Sequence, residues 1–307
     1  MTTHPPPTRP AAALVTVSYR GDLDLARDLC ASVDAYLDPR VEHVLVVPRS
    51  DASLFEPFLT ERRRIVLVED VLPPDYRRLP LPQQLRFGPL RKRIRETWWT
   101  PRGLVRGWII QQVVKLSAPN YISAPSVTFA DSDVVLVAPL ELEELVDACG
   151  TRFYAVPGAT ADSAMHARWH SVAQRLLGIP VRGYSGSDYI GNLITWRTAD
   201  ILALQDRVGV VAGKRWDEAV IRQRAFSEYI LYGVFVDHVR FGVDARPTTV
   251  DLVHAGWFYD LATTAGIEEF ISGVTGSPVG VAIQSTERFT LAERRDIVGR
   301  ISSRMRT

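Results

Sequence analysis

Cysteine is scarce in this 307-residue chain: Cys30 and Cys149 are the only two, and they form neither a C-x-x-C pair nor a zinc-ligand spacing. A disulfide scaffold and a cysteine-based metal site are thereby excluded, and the sparse thiols suit a reducing, cytoplasmic compartment. An excess of charge of one sign is also lacking. Lys plus Arg total 36 against 35 Asp plus Glu, a formal net charge of +1, so no global field draws the chain to nucleic acid or to a membrane. Long apolar runs are missing too. No stretch reaches the ~20 apolar residues of a spanning helix, and the opening "MTTHPPPTRPAAALVTV" has no basic region followed by a long apolar one. After the first apolar run, "VTVSYRGDLD" offers only Gly21, which argues against the G-x-G-x-x-G of a dinucleotide-binding dehydrogenase. A P-loop is absent, as is the Gly-rich basic loop of a sugar nucleotidyltransferase.

What is present is ordinary globular material, 46% hydrophobic and 23% charged, in a chain long enough for one large domain or two small ones. Residues 1–11 read as a flexible Pro-rich leader, 12–265 as one catalytic-size domain and 266–307 as a helical, basic C-terminal appendage. The domain opens with "AALVTVSY" as a buried strand, "DLDLARDLCASVDAYL" as an amphipathic helix, and "EHVLVVP" and "RRIVLVED" as further strands. Val/Ile/Leu runs separated by a helix imply parallel strands buried on both faces, and so an α/β fold with a Rossmann-type, mixed but mostly parallel sheet flanked by helices. Downstream, "LVRGWIIQQVVKLSA" reads as a helix that aligns Trp108, Gln111 or Gln112, and Lys115 on one face. "SVTFADSDVVLVAPL" reads as a strand that breaks at Asp131-Ser132-Asp133 and resumes. "FYAVPG" and "YIGNLITWR" are expected as strands, "AMHARWHSVAQRLLG" as a helix, and "WDEAVIRQRAFSEYILYGVFVDHV" as a helix that runs into a strand near its end.

Charge is polarised in one place. Between Arg77 and Arg106 nine basic residues (Arg77, Arg78, Arg86, Arg91, Lys92, Arg93, Arg95, Arg102 and Arg106) face a single acid, Glu96, interleaved with prolines and with Trp98 and Trp99. Such a segment is either a solvated surface or flap, or a patch that meets an anionic acceptor or the surface of a membrane carrying a lipid-linked one.

Two carboxylates spaced by one residue at a strand end can approach a hard divalent cation whose other positions go to phosphate oxygens and water. Asp131 and Asp133 are so placed, between "VTFA" and "VVLV", where an open α/β sheet presents its carboxyl edge to ligands. The bland reading of the pair is an Asx-type turn. A second D-x-D, Asp22-Leu23-Asp24, stands at the expected start of the first helix, where acids cap and complement the helix dipole.

The β-α-β opening, the helix "GWIIQQVVKLSA", then "FADSDVVLV" and finally "FSEYILYG" resemble the bacterial GT-A-fold glycosyltransferases of the nucleotide-diphospho-sugar transferase superfamily, over about Ala12 to Asp260. The resemblance implies metal-dependent transfer of a sugar from a nucleotide diphosphate sugar, UDP-sugar above all, to an acceptor hydroxyl. It implies Mn²⁺ or Mg²⁺ held by Asp131 and Asp133, with Asp133 the direct ligand, Asp131 also a sugar or ribose contact, and Ser132 between them. It places His254 of "DLVHAGWF" as a further ligand of the metal. The donor's nucleoside falls to the end of the first strand, Val17 to Tyr19, with Tyr19 packing on the base and Asp51 accepting from base or ribose. Gln111 lines the donor site, and Lys115 is a point charge on the diphosphate. For an inverting transfer a carboxylate must deprotonate the acceptor hydroxyl, and Glu228 is the first candidate, Asp188 of "GYSGSDYIGN" the second. His166, His170 and His238 show no partner spacing.

Two other readings compete. "VTFADSDVVLV" also resembles the nucleophile motif of haloacid-dehalogenase-type phosphohydrolases, with Asp131 attacking phosphorus, although the motif comes late and no later strand ends in the acid pair those enzymes use for magnesium. A catalytically silent nucleotide-sugar-binding module has the same sequence features.

Overall fold

The apolar runs Ala12–Val17 (β1), Val41–Val47 (β2) and Arg63–Leu67 (β3) lie side by side and parallel in the computed structural model. The structure describes residues 10–81, 84–87, 90–93, 96–223 and 225–306, the stretches 84–87 and 90–93 as backbone. Residues 1–9 of the expected leader and Arg95 of the basic segment lie outside the described residues, as do the side chains of Arg86, Arg91, Lys92 and Arg93.

β1 is buried at every position because helices cover both of its faces. Ala13, Val15 and Val17 pack with Ile110, Val113 and Val114 of the helix at Gly107–Leu116, whereas Ala12 and Leu14 pack with Leu29 and Val33 of α1 (Leu23–Tyr36). That alternation is the period of two of a strand read out as two hydrophobic layers. After α1 come two single-turn helices, α2 (Ala52–Phe55) and α3 (Val68–Val71). The basic segment then forms two small antiparallel units. One is the sheet of β4 (Arg77–Arg78), β7 (Thr97–Thr100) and β8 (Gly103–Arg106), and the other a hairpin of β5 (Gln84–Phe87) and β6 (Leu90–Arg93). Helix α4 (Gly107–Leu116) begins only after β8, so the expected helix loses its first turn to strand pairing with β7.

The run expected as one interrupted strand is two strands in two sheets. β9 (Ser126–Ala130) joins β1, and β10 (Val134–Leu136) leaves for another sheet. Asp131-Ser132-Asp133 is the corner between them. Farther on lie α5 (Leu142–Leu145), β11 (Val146–Asp147), β12 (Gly150–Tyr154), β13 (Val156–Pro157), α6 (Ala164–Leu177), β14 (Ser187–Asp188) and β15 (Leu193–Arg197). Tyr189–Asn192 stays outside the strand expected there. The central sheet has the order β15-β9-β1-β2-β3, parallel except for β15, as the mostly parallel α/β expectation requires.

Helices α7 (Thr198–Ala212), α8 (Trp216–Ile221) and α9 (Glu228–His238) follow. The expected strand near the end of "EYILYGVFVDHV" does not form: Tyr229 to Val236 are all buried in a helix enclosed by core, and an apolar run without period does not distinguish the two. β16 (Ala245–Thr248), β17 (Val253–Ala255), α10 (Thr264–Ser272), β18 (Gly280–Ala282) and α11 (Leu291–Met305) complete the chain. Residues 266–307 are thus not helical throughout. β18 is the middle strand of the β10-β18-β17 sheet, which ties the C-terminal segment to the corner at Asp133. No helix among the described residues is long and apolar enough to cross a membrane.

Candidate active site

Because β1, β2 and β9 run in one direction, their carboxyl ends share an edge, and there the charged residues converge. Lys115 reaches this edge from the last turn of α4. Its Nζ donates to the Tyr229 hydroxyl at 2.8 Å and to Asp131 Oδ1 at 3.1 Å, and lies 3.2 Å from Glu228 Oε1. The side chains of Lys115 and Glu228 are each 7% exposed, that of Asp131 55%. Burial alone would depress the ammonium, but Asp131, Tyr229 and Glu228 outweigh it and hold Lys115 well above its ordinary value. Burial raises the Glu228 carboxyl, opposed by Lys115, and raises the Tyr229 phenol. Lys115, expected as a free charge for the diphosphate, is instead enclosed by its own partners. Glu228 opens α9 after Ser227, whose side chain caps the helix, and its N–H donates to Gln112 Oε1 at 3.1 Å.

The acid corner is anchored on both sides. Ser132 Oγ donates to Ser18 Oγ at the end of β1 (2.9 Å), and the Ser285 N–H donates to Asp133 Oδ2 (2.9 Å). Burial pushes the Asp133 carboxyl up to about 6, and the charges of Asp131 and Asp22 add to the effect. Arg294 supports the Ser285 turn. Its buried guanidinium donates to the carbonyls of Ile283, Gln284 and Glu287 at 2.6, 2.7 and 3.1 Å.

Beside this edge opens a cavity of about 1240 Å³, lined among others by Tyr19, Asp22, Arg78, Trp108, Gln111 and Ser285. Tyr19 and Gln111 are therefore where a ligand would touch them. The Tyr19 ring folds over Gly21 so closely that a Cβ there would lie 2.4 Å from it, which explains the glycine. Val17 is buried in the core under the cavity.

Two expected residues are turned to other work. Asp51 is fully buried and accepts from the Arg20 N–H (2.9 Å), Arg20 Nε (2.7 Å) and Ser50 Oγ (2.9 Å), so it fixes Arg20 rather than presenting a free carboxylate. Burial works against its ionisation, but those bonds prevail and its pKa is lowered. His254 donates through Nε2 to the Phe270 carbonyl (2.7 Å) and stacks on the Phe270 ring. Burial lowers its pKa. Asp131, Asp133 and His254 do not gather as three ligand atoms in mutual reach. The one such acidic or histidine group among the described residues is Asp38, Glu141 and Glu143. It lies at the opposite, amino edge of the sheet, where Arg40 pairs with both Asp38 and Glu143.

Asp188 is not in contact with the Lys115 group. It accepts from the N–H groups of Tyr189 and Ile190 and faces His166 Nδ1 at 3.5 Å. Around Ser185 the fold also collects His170 and His238, which sequence spacing had left unrelated. Asn192 is a residue sequence reasoning missed. It directly precedes Leu193, which pairs with Ala130, so it stands beside Asp131, and its buried Nδ2 has no partner. Gln112 Nε2 is likewise buried and unpartnered. No spacing rule signals either donor.

Fold and site together define an α/β protein with its ligand edge at the carboxyl ends of a mostly parallel sheet. The chain belongs to a family of unknown function, DUF6492, whose model matches residues 13–248. No curated protein matches it. Among solved structures it is similar to the galactosyltransferase LgtC in complex with donor and acceptor sugar analogs, at 11% identity over 95% of this chain and 95% of that one, with a TM-score of 0.48. It is also similar to the apo form of the glycosyltransferase GlyE of Streptococcus pneumoniae, at 10% identity over 96% of this chain and 61% of that one, with a TM-score of 0.47.

Proposed function

We propose that this protein is a glycosyltransferase that moves a sugar from a nucleotide diphosphate sugar, UDP-sugar above all, to an acceptor hydroxyl. The observation that carries the reading is the convergence of Asp131, Lys115 and Glu228 at the carboxyl edge of the sheet, beside a cavity large enough for a nucleotide sugar. The cavity takes the donor, with Tyr19 and Gln111 against it. Asp131 and Asp133 fit a hard dication: an acid cluster with Asp22 close enough to push Asp133 up, and one half-exposed carboxylate, gains from a divalent charge. Mn²⁺ or Mg²⁺ bound there would neutralise charge on the diphosphate. In the transfer, the acceptor oxygen bonds to the anomeric carbon while the bond from that carbon to the diphosphate oxygen breaks. The hydroxyl proton passes to a carboxylate, Glu228 before Asp188, and the nucleoside diphosphate leaves with the electron pair. Lys115 is a positioning residue that orients Asp131 and Glu228.

The basic segment makes an anionic or lipid-linked acceptor the favoured partner.

Calorimetric titration of UDP and other nucleoside diphosphates, with and without Mn²⁺, tests the proposal, followed by assay of free nucleotide released from the corresponding sugar donors. Metal-dependent binding that Asp131→Asn abolishes is expected, and Glu228→Gln should lower turnover while nucleotide affinity stays within about twofold. Absence of nucleotide binding under all conditions would refute the reading. Binding without any sugar transfer or hydrolysis would identify a silent binding module.

A further inference from the structure

One face of the small β4-β7-β8 sheet is turned to solvent among the described residues. Across its three strands the register aligns Arg77, Trp99 and Leu104, with Thr97 beside Arg106 in the next row. Trp99 is 54% exposed and Leu104 63%, and Arg77 and Arg106 are exposed as well. The opposite face explains why the sheet holds together: Trp98 and Thr100 are buried, and Trp98 Nε1 donates to Glu96. The sheet is thus held on the core by its other face.

Other arginines of the segment have acids. Arg78 pairs with Glu96 and Arg102 with Glu218, whereas Arg77 and Arg106 have no ion pair among the described residues. Exposed tryptophan and leucine flanked by unpaired guanidinium groups match the chemistry of a headgroup layer, where the ring sits at the water boundary and the cation meets phosphate. Between β4 and β7 the chain carries the hairpin in which Arg86 pairs with Arg91 in register. The face also borders the cavity, since Leu81 (46% exposed), Arg106 and Trp108 (50% exposed) line its mouth.

We infer that this Trp/Arg sheet face docks the protein on an anionic phospholipid bilayer, and that it turns the cavity mouth toward the membrane. The orientation suits a lipid-linked acceptor, and that part rests on the transferase reading; the docking itself does not. Charge complementarity selects the bilayer's anionic lipids, and the aromatic and aliphatic side chains select a bilayer over a dissolved polyanion.

The test is co-sedimentation of the full chain with phosphatidylcholine vesicles containing or lacking about 30% phosphatidylglycerol, at roughly 50 mM and 500 mM salt. Binding to the anionic vesicles should exceed binding to the neutral ones about tenfold and fall at high salt. The variants Arg77→Glu and Trp99→Ser/Leu104→Ser change exposed residues outside the cavity lining. Each should lose about fivefold or more in vesicle affinity while the melting temperature and UDP titration stay unchanged. Failure of the wild type to sediment with anionic vesicles overturns the inference, as does equal binding by the Trp99→Ser/Leu104→Ser variant. If soluble dextran sulfate competes and that double variant is unaffected, the partner is a dissolved polyanion and the bilayer is excluded. Vesicle binding without nucleotide binding would sink the transferase reading and leave the docking face standing.

Discussion

Replacing Lys115 by methionine is the most direct perturbation of the site, because it removes a single charge while keeping most of the volume. The ammonium has three oxygen partners within 3.2 Å, and both it and Glu228 are almost wholly enclosed. Breaking a buried pair by deleting one member leaves an uncompensated charge and costs about 3–5 kcal/mol. For a chain of this size that is a fall in melting temperature of roughly 6–20 °C. The loss should depend on pH. In Lys115→Met the opposing cation is gone and burial raises the Glu228 carboxyl further, so the folded state holds a proton that the unfolded chain has released. Between the unfolded value of about 4.3 and the raised folded value, stability then falls as pH rises. The variant should sit close to wild type at pH 4 and far below it at pH 8. Adding Glu228→Gln should recover much of the deficit, since no buried charge is left unpaired. Thermal unfolding of the wild type, both single variants and the double variant across that pH range gives the coupling energy. A Lys115→Met variant within about 1 kcal/mol of wild type at pH 8, or singles that add without coupling, would refute the account of Lys115 as the electrostatic centre of this edge.

Asp133→Asn should stabilise the protein. With the folded carboxyl at about 6 against an ordinary 3.8, the folded state binds the extra proton between those values, and stability declines as pH rises through the window. The amide escapes that decline, so a gain of about 1–3 kcal/mol is expected at pH 8 and none below pH 4, read from melting curves. A wild-type protein whose melting temperature is flat relative to the variant across pH 4–8 would contradict it. Arg294→Met strips donors from three carbonyls of the 283–287 turn and should cost about 2–4 kcal/mol. It should also speed hydrogen exchange at the Ser285 amide, and unchanged exchange there would show that the guanidinium does not hold Asp133's support. Arg20→Ala takes the guanidinium from the buried Asp51, leaving it the residue-20 N–H and the Ser50 hydroxyl, and should lower stability by about 1–3 kcal/mol at pH 7, less at pH 3 where the carboxyl protonates. Melting curves at the two pH values decide it.

Local pattern determined the strands β1, β2, β3 and β9, the helices α1 and α4, and the acid pair at a strand end. In each, the period of the apolar residues or the break in them is visible within a few residues, and burial on both faces of a parallel sheet writes itself as an unbroken Val/Ile/Leu run. Lys115, Asp131 and Glu228 could be singled out as chemistry-bearing residues in or beside apolar runs, where an ion needs a reason. Their meeting was a tertiary outcome. The three come from α4, the β9 corner and α9, Asp131 lying 16 and Glu228 more than a hundred residues from Lys115, and only the packing of α9 along the sheet brings them within one ammonium's reach. The same holds for the support of Asp133 by Ser285, 152 residues away, which exists because β18 inserts between β10 and β17. Asp51 looked in sequence like a loop acid open to a ligand, and the fold enclosed it with Arg20. Asn192 gave no sign at all, because an unmet donor is a property of surroundings and not of residue type. Sequence period specifies which side of an element is apolar, a local quantity. Which polar atoms then face one another, and which are left without partners, is decided by long-range strand order and helix docking, which no local pattern encodes.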